Sequence, residues 1–282
     1  PMIINSDERQ WTWMDEGLNS FVQYLCQKEE YDNFPHRRGP AESIIPYMKG
    51  DPQYIRPIMT NSEQILQFGN NAYAKPAVAL NILRETIMGP EQFDYAFKEY
   101  ATRWAFKHPT PADFFRTMED ASGIDLDWFW RGWFYTTDHV DISLDDVKWY
   151  RMSIDNPQLE QKIRKSGKAN LGNKDGEGYE MPDSPDTFSF YETPDFFYRE
   201  FMNKIDDKAV QQEYANKNFY QITLHNEGGL VMPVIIEWTY ADGTTEIEKI
   251  PAEIWRLNEE EVVKVFAKDK EVVGVRIDPN AE

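Results

Sequence analysis

The chain has 282 residues, 41% of them apolar and 15% aromatic, enough to bury the cores of two ordinary domains and too apolar for wholesale disorder. A formal net charge of -19 repels nucleic acid and anionic membrane, which excludes both as main partners. Apolar runs long enough to span a bilayer are absent from the sequence, and the single cysteine, Cys26, rules out an internal disulfide framework while leaving the compartment open, periplasmic or extracytoplasmic settings included.

In chain order, residues 1–138 read as helical. Ser6 and Asp7 precede Trp13, Met14, Gly17, Leu18, Phe21, Val22 and Leu25 at helical spacing, and Cys26 on that face is expected to be a buried, inert thiol. Asn33 to Pro57 is rich in Pro and Gly and is expected to be loop with a short helical piece. A second helix should begin near Ala74 to Pro76 and end at Gly89; Pro90 opens a third. Thr110-Pro111 is a cap followed by Pro in the first turn, and Gly123 is the matching stop. Leu126 to Tyr135 is apolar nearly all round and should be buried.

The signal weakens over 139–216, expected to be a linker or insertion. Within it Lys165 to Asp186 reads as a loop and Asp195 to Ile205 as a short helix. From 217 the period changes to two. Tyr220, Ile222 and Leu224 form one face, and Val234, Ile236, Trp238 and Tyr240 another. Asp242-Gly243 is a tight turn, and Val263, Val265, Val273, Val275 and Ile277 belong to later strands. The class is therefore α+β, with a helical part over 1–138 and a small antiparallel β-sandwich over 217–282.

Searched from residues alone, no complete active site emerges. His36, His108, His139 and His225 never fall in H-x-x-x-H spacing, and no C-x-x-C, phosphate loop or G-x-S-x-G occurs. Glu16 stands between Trp13 and Leu18 on a half-apolar helix. A carboxylate there needs a cation or donors, supplied either by a metal or by an internal salt bridge. Tyr73, in Asn70-Asn71-Ala72-Tyr73-Ala74-Lys75-Pro76, is either an oxyanion donor or a core tyrosine with a satisfied hydroxyl.

Trp13-Met14-Asp15-Glu16-Gly17-Leu18-Asn19-Ser20-Phe21 resembles the W-L-N-E-G-F-A segment of aminopeptidase N-like gluzincins, peptidase family M-one. Tyr73-Ala74-Lys75-Pro76 resembles their Y-x-K-G, with Pro76 in place of the usual Gly. Asp113-Phe114-Phe115, Ser122 to Leu126, Phe129 and Trp133 resemble the block that closes their helical domain, part of a thermolysin-like catalytic domain. Asn226 to Pro233 looks like the opening of the sandwich that follows it.

The resemblance implies a zinc aminopeptidase acting on peptide substrates. In it Glu16 is the third zinc ligand and Tyr73 stabilises the tetrahedral intermediate. It also implies that the H-E-x-x-H helix and the strand gripping the substrate's amine belong to sequence ahead of Pro1. On that expectation this chain is a fragment, inactive alone, partnered by the missing N-terminal part of the same protein. Its Glu16 face would be partly exposed. The alternative is a non-catalytic protein- or peptide-binding platform of peptidase descent.

Overall fold

The first helix begins later than Ser6 and Asp7 suggest. In the computed structural model Asp7 Oδ1 accepts from the backbone N–H of Arg9 and Gln10, closing a turn, and helix α1 runs Trp13–Glu30. The structure describes residues 2–32, 34–36, 38–152, 179–180, 186–188 and 217–280. They form two compact units. The first is Pro1–Asp141 with Gly228–Pro233 and Asn280–Glu282; the second is Ile142–Glu227 with Val234–Pro279.

In the first unit, α1 buries Trp13, Met14, Gly17, Leu18, Phe21 and Tyr24. Cys26 falls off this stripe and is exposed, with Val22 exposed beside it, which corrects the expected buried thiol. A 3-10 turn over Ala41–Ile44 leads into the single-turn α2, Ile45–Met48, inside the Pro- and Gly-rich stretch. The next helix starts earlier than Ala74: a π-helical stretch over Gly69–Ala74 feeds α3, Lys75–Ile82, and a second π-helical stretch, Leu83–Met88, ends at Gly89 with φ 82°. Pro76 explains the wide turn. It has no N–H to donate and its ring would strike the carbonyl four residues back in a regular α turn, so Lys75 N–H bonds instead to Asn70 O, five residues back.

Helix α4, Pro90–Trp104, buries Phe93, Ala96 and Tyr100. Helix α5, Pro111–Ser122, carries the expected start and stop: Thr110 and Asp113 form a reciprocal capping box, and Gly123 takes a left-handed φ of 70°. Helix α6, Asp127–Tyr135, buries Phe129, Trp130, Trp133 and Phe134 but leaves Arg131 and Tyr135 exposed. Trp13 lies at the centre of this unit, 4.7 Å from Phe134 and stacked on Phe115 at 5.8 Å. Large aromatic rings dominate core burial, so this contact fixes the N-terminus of α1.

In the second unit β1, Ile142–Met152, lies within the stretch expected to be linker. The remaining strands are β2 (Tyr179–Glu180), β3 (Asp186–Phe188), β4 (Asn218–Asn226), β5 (Val234–Tyr240), β6 (Thr245–Ile250), β7 (Glu261–Lys268) and β8 (Val272–Ile277). They make two four-stranded sheets, β3-β1-β4-β7 and β2-β8-β5-β6, with antiparallel pairing throughout save the parallel β1–β3 pair. The inward faces are those the alternation indicates: Tyr220, Ile222 and Leu224 on β4, and Val234, Ile236, Trp238 and Tyr240 on β5. Trp238 meets Tyr220 at 6.0 Å and Phe266 at 5.1 Å, joining the two inner faces. The helix expected over Asp195 to Ile205 lies outside the described residues, as does most of Lys165 to Asp186.

Gly228–Pro233 belongs to the helical unit rather than opening the sandwich. Leu230 and Met232 are buried there; Trp133 Nε1 donates to Met232 Sδ at 3.4 Å, and a β-carbon on Gly132 would lie 2.8 Å from Leu230.

Candidate functional site

Glu16 follows Trp13 by three residues on α1, so the buried indole sets its height along the helix while its own carboxylate lies half-buried at the edge of the packed stripe. Gly17 decides what can approach. A β-carbon there would stand 2.5 Å from Pro76 Cγ and 3.1 Å from Ala72 O. The missing side chain therefore lets the π-helical stretch and the start of α3 lie directly on α1.

The approaching stretch carries Tyr73. It is pinned from behind by Asn71, fully buried, whose Nδ2 donates to Arg56 O at 2.7 Å and Pro57 O at 3.0 Å. Tyr73 is thereby set within a helix, not ahead of one, and its phenol lies beside the Glu16 carboxylate. Hydrogen-bonding reach to that carboxylate is the main reason the phenol is pushed up to about 12; partial burial and the Glu16 charge add to it, while Arg38 pulls the other way. The two residues singled out in the sequence are thus neighbours.

Three residues missed in the sequence build this neighbourhood. Asn71 holds the stretch that carries Tyr73, Pro76 fills the space Gly17 leaves, and Arg38 lies over the Tyr73 ring with its guanidinium carbon 4.3 Å from the centroid. Gly17 following Glu16 was the one available signal for close approach. Nothing in the spacing of Arg38 to Tyr73 announces their contact.

The histidines do not join Glu16 in any metal-holding group among the described residues. His36 packs edge-on to Tyr24 at 4.8 Å, His108 Nδ1 lies 2.8 Å from Asn5 O, the backbone of His139 bridges to Gly229, and His225 lies 4.0 Å from Asp145. Three carboxylates, Glu119, Asp125 and Asp127, gather with oxygens within 4.8 Å of one another. Their work is loop closure: Leu126 N–H donates to Glu119 at 3.0 Å and Asp127 N–H to Asp125 at 3.1 Å. Burial raises the Glu119 pKa.

Residues 4–133 match the peptidase family M1 domain. That match spans most of the helical unit. Glutamyl aminopeptidase of Sus scrofa is 23% identical over 142 residues, covering 48% of this chain and 15% of that protein. The Homo sapiens glutamyl aminopeptidase is 25% identical over 130 residues, covering 44% of this chain and 14% of its own length. This chain therefore spans about a seventh of those relatives. A crystal structure of Legionella pneumophila aminopeptidase A in complex with aspartic acid aligns over 98% of this chain and 24% of that one, at 13% identity and a TM-score of 0.49. The M1 match covers Glu16, Arg38, Asn71 and Tyr73 together. Among the described residues no helix is long and apolar enough to cross a membrane.

Proposed function

We propose that the protein to which this chain belongs is a zinc-dependent aminopeptidase that hydrolyses N-terminal peptide bonds, with Glu16 as the anionic metal ligand and Tyr73 as the oxyanion donor. The observation that carries the reading is that the Tyr73 phenol lies beside the Glu16 carboxylate, close enough to feel it, inside the stretch that matches the M1 domain. Glu16 suits a dication: it is half-buried, charged, and none of the ion pairs of the described residues involves it. One carboxylate does not hold zinc, which takes three protein ligands at catalytic sites, so the described residues supply part of the donor set and the imidazoles come from elsewhere in the protein. Zinc, when bound, supplies polarisation of the scissile carbonyl and an acidified water.

What this chain contributes follows from its own groups. Glu16 brings negative charge to the metal's side of the site, beside the Tyr73 phenol. The phenol, pushed up to about 12, keeps its proton across the neutral range and so remains a donor. As negative charge develops on the carbonyl oxygen beside the metal, that hydroxyl can donate to it, and donors so placed contribute about 3 kcal/mol to lowering a barrier. Peptide is the substrate class that the match to a peptidase domain supports.

The test uses the full-length protein. Glu16→Ala should lose stoichiometric zinc. Tyr73→Phe should retain it while kcat falls by about two to three orders of magnitude. The reverse pattern would overturn both roles. A full-length protein that neither binds zinc nor cleaves aminoacyl substrates would return the non-catalytic platform.

A further inference from the structure

Arg38 is held over Tyr73 by a loop fixed on its C-terminal side. Its neighbour Gly39 has φ +131°, and a β-carbon there would lie 2.5 Å from Tyr24 Cδ2, so the chain passes flat against a ring of α1 where no other residue fits. Pro40 then opens the turn over Ala41–Ile44, and Ser43 Oγ donates back to Pro40 O at 2.7 Å. The guanidinium is half-buried, and among the described residues the contact it makes is with the tyrosine ring, 4.3 Å away. Phe68 brackets the same ring at 6.1 Å, edge to face. A planar cation lying on an aromatic face is attracted to its electron density and limits how far the ring can tilt.

We propose that Arg38 is a positioning residue for Tyr73, its guanidinium stacking on the phenol ring so that the hydroxyl is aimed at the oxyanion. This rests on the reading of Tyr73 as the oxyanion donor. The ring is anchored to the backbone at one end and carries its hydroxyl at the other, so a small tilt moves the oxygen by a large fraction of a hydrogen-bond length. Misplacement of about 1 Å costs up to about a hundredfold in rate. The cation also adds positive charge on the side where the carbonyl oxygen becomes negative.

The experiment uses the full-length, zinc-loaded protein with Arg38→Met and Arg38→Lys, each alone and in the Tyr73→Phe background. Arg38→Met should lower kcat about tenfold, leave KM within about twofold and keep zinc content unchanged. It should weaken binding of a phosphinic peptide, a mimic of the tetrahedral intermediate, by about the same factor. Arg38→Lys, which keeps the charge and loses the plane, should recover part of the loss. In Tyr73→Phe, Arg38→Met should change nothing further. An equal loss in that background, or a rise in KM with kcat untouched, overturns the proposal; the second result would make Arg38 a substrate-binding group. Full activity in Tyr73→Phe itself sinks the oxyanion role of Tyr73 and the proposal with it. An inactive Tyr73→Phe beside a wild-type-like Arg38→Met sinks the proposal alone.

Discussion

Gly17 and Pro76 share one space. The pyrrolidine ring occupies the volume that a side chain at position 17 would take, with Cγ 2.5 Å and Cβ 2.8 Å from where that β-carbon would be. This pair sets the separation of α1 from the helix that carries Tyr73, and hence whether Glu16 and Tyr73 can meet. The ring is rigid and the third neighbour is the backbone carbonyl of Ala72, so neither gives way cheaply.

Gly17→Ala should therefore destabilise the chain by about 1–3 kcal/mol through overpacking, despite Ala's better helix propensity. Thermal or urea unfolding of the single variant gives the cost. Removing the ring with Pro76→Gly should lower stability by itself yet shrink the further cost of Gly17→Ala, because the clash is then gone. Additive costs would show that the two residues do not share space as described.

Lys75 sits within the same helix and is fully buried, and its ammonium has no hydrogen-bond partner among the described residues. Burial pulls its pKa down to about 8 from an ordinary 10.5, and the charge of Asp138 opposes the fall. Between those values the unfolded chain binds more protons than the folded one, so stability rises as pH climbs from about 8 toward 10.5. Below that window the folded state bears the full cost of the buried charge. Lys75→Met should raise stability at pH 7 by about 1–3 kcal/mol and flatten the pH dependence between 8 and 10. Unfolding measured at pH 7 and pH 9.5 on both proteins checks it. An equal rise with pH in the Met variant would place the titration on another group.

Where sequence and fold agree, local chemistry was enough. Gly89 and Gly123 adopt the positive φ that ends helices, and Thr110 caps as the Thr-Pro pair implies. The β4 face follows strict alternation because one side of it is buried, and β5 does so from Ile236 onward, Ile235 being buried as well. The misses have equally local causes. In β1 the register shifts between Leu144 and Asp146, so the buried residues run Leu144, Val147, Trp149 and the period of two is broken in mid-strand. In β8 a shift at Thr239/Tyr240 of its partner strand leaves Val273 exposed between buried Val272 and Val275. Glu16 and Tyr73 carried a recognisable pattern; Arg38 and Asn71 did not, because a loop and a π turn bring them in from distant positions by contacts that leave no periodicity.

The second unit has its own electrostatic clasp. Lys268, on β7 at the edge of one sheet, is nearly buried and donates to Glu246 at 3.1 Å and Glu248 at 2.8 Å, both on β6 at the edge of the other. Its ammonium lies 4.6 Å from the Trp238 ring centroid, and Trp238 Nε1 donates to Glu248 at 3.0 Å. The Tyr240 hydroxyl donates to Glu246, and this bond, with help from Lys268, holds the Glu246 carboxyl below its usual pKa. A carboxylate lowered in the folded state contributes stability above its unfolded pKa of 4.5, and that contribution is lost as pH falls through the folded value. Tyr240→Phe should therefore cost about 1 kcal/mol near neutral pH, with the difference from wild type vanishing once both proteins are below the folded pKa of Glu246. Lys268→Met should cost more, about 1–3 kcal/mol, because two acceptors lose their cation while the apolar stem is kept. Urea unfolding in a pH series from 7 downward, followed by far-UV circular dichroism, separates the two. A Tyr240→Phe penalty that stays unchanged throughout the acid titration would mean that packing of the ring edge, and not the carboxylate, is what the hydroxyl supports.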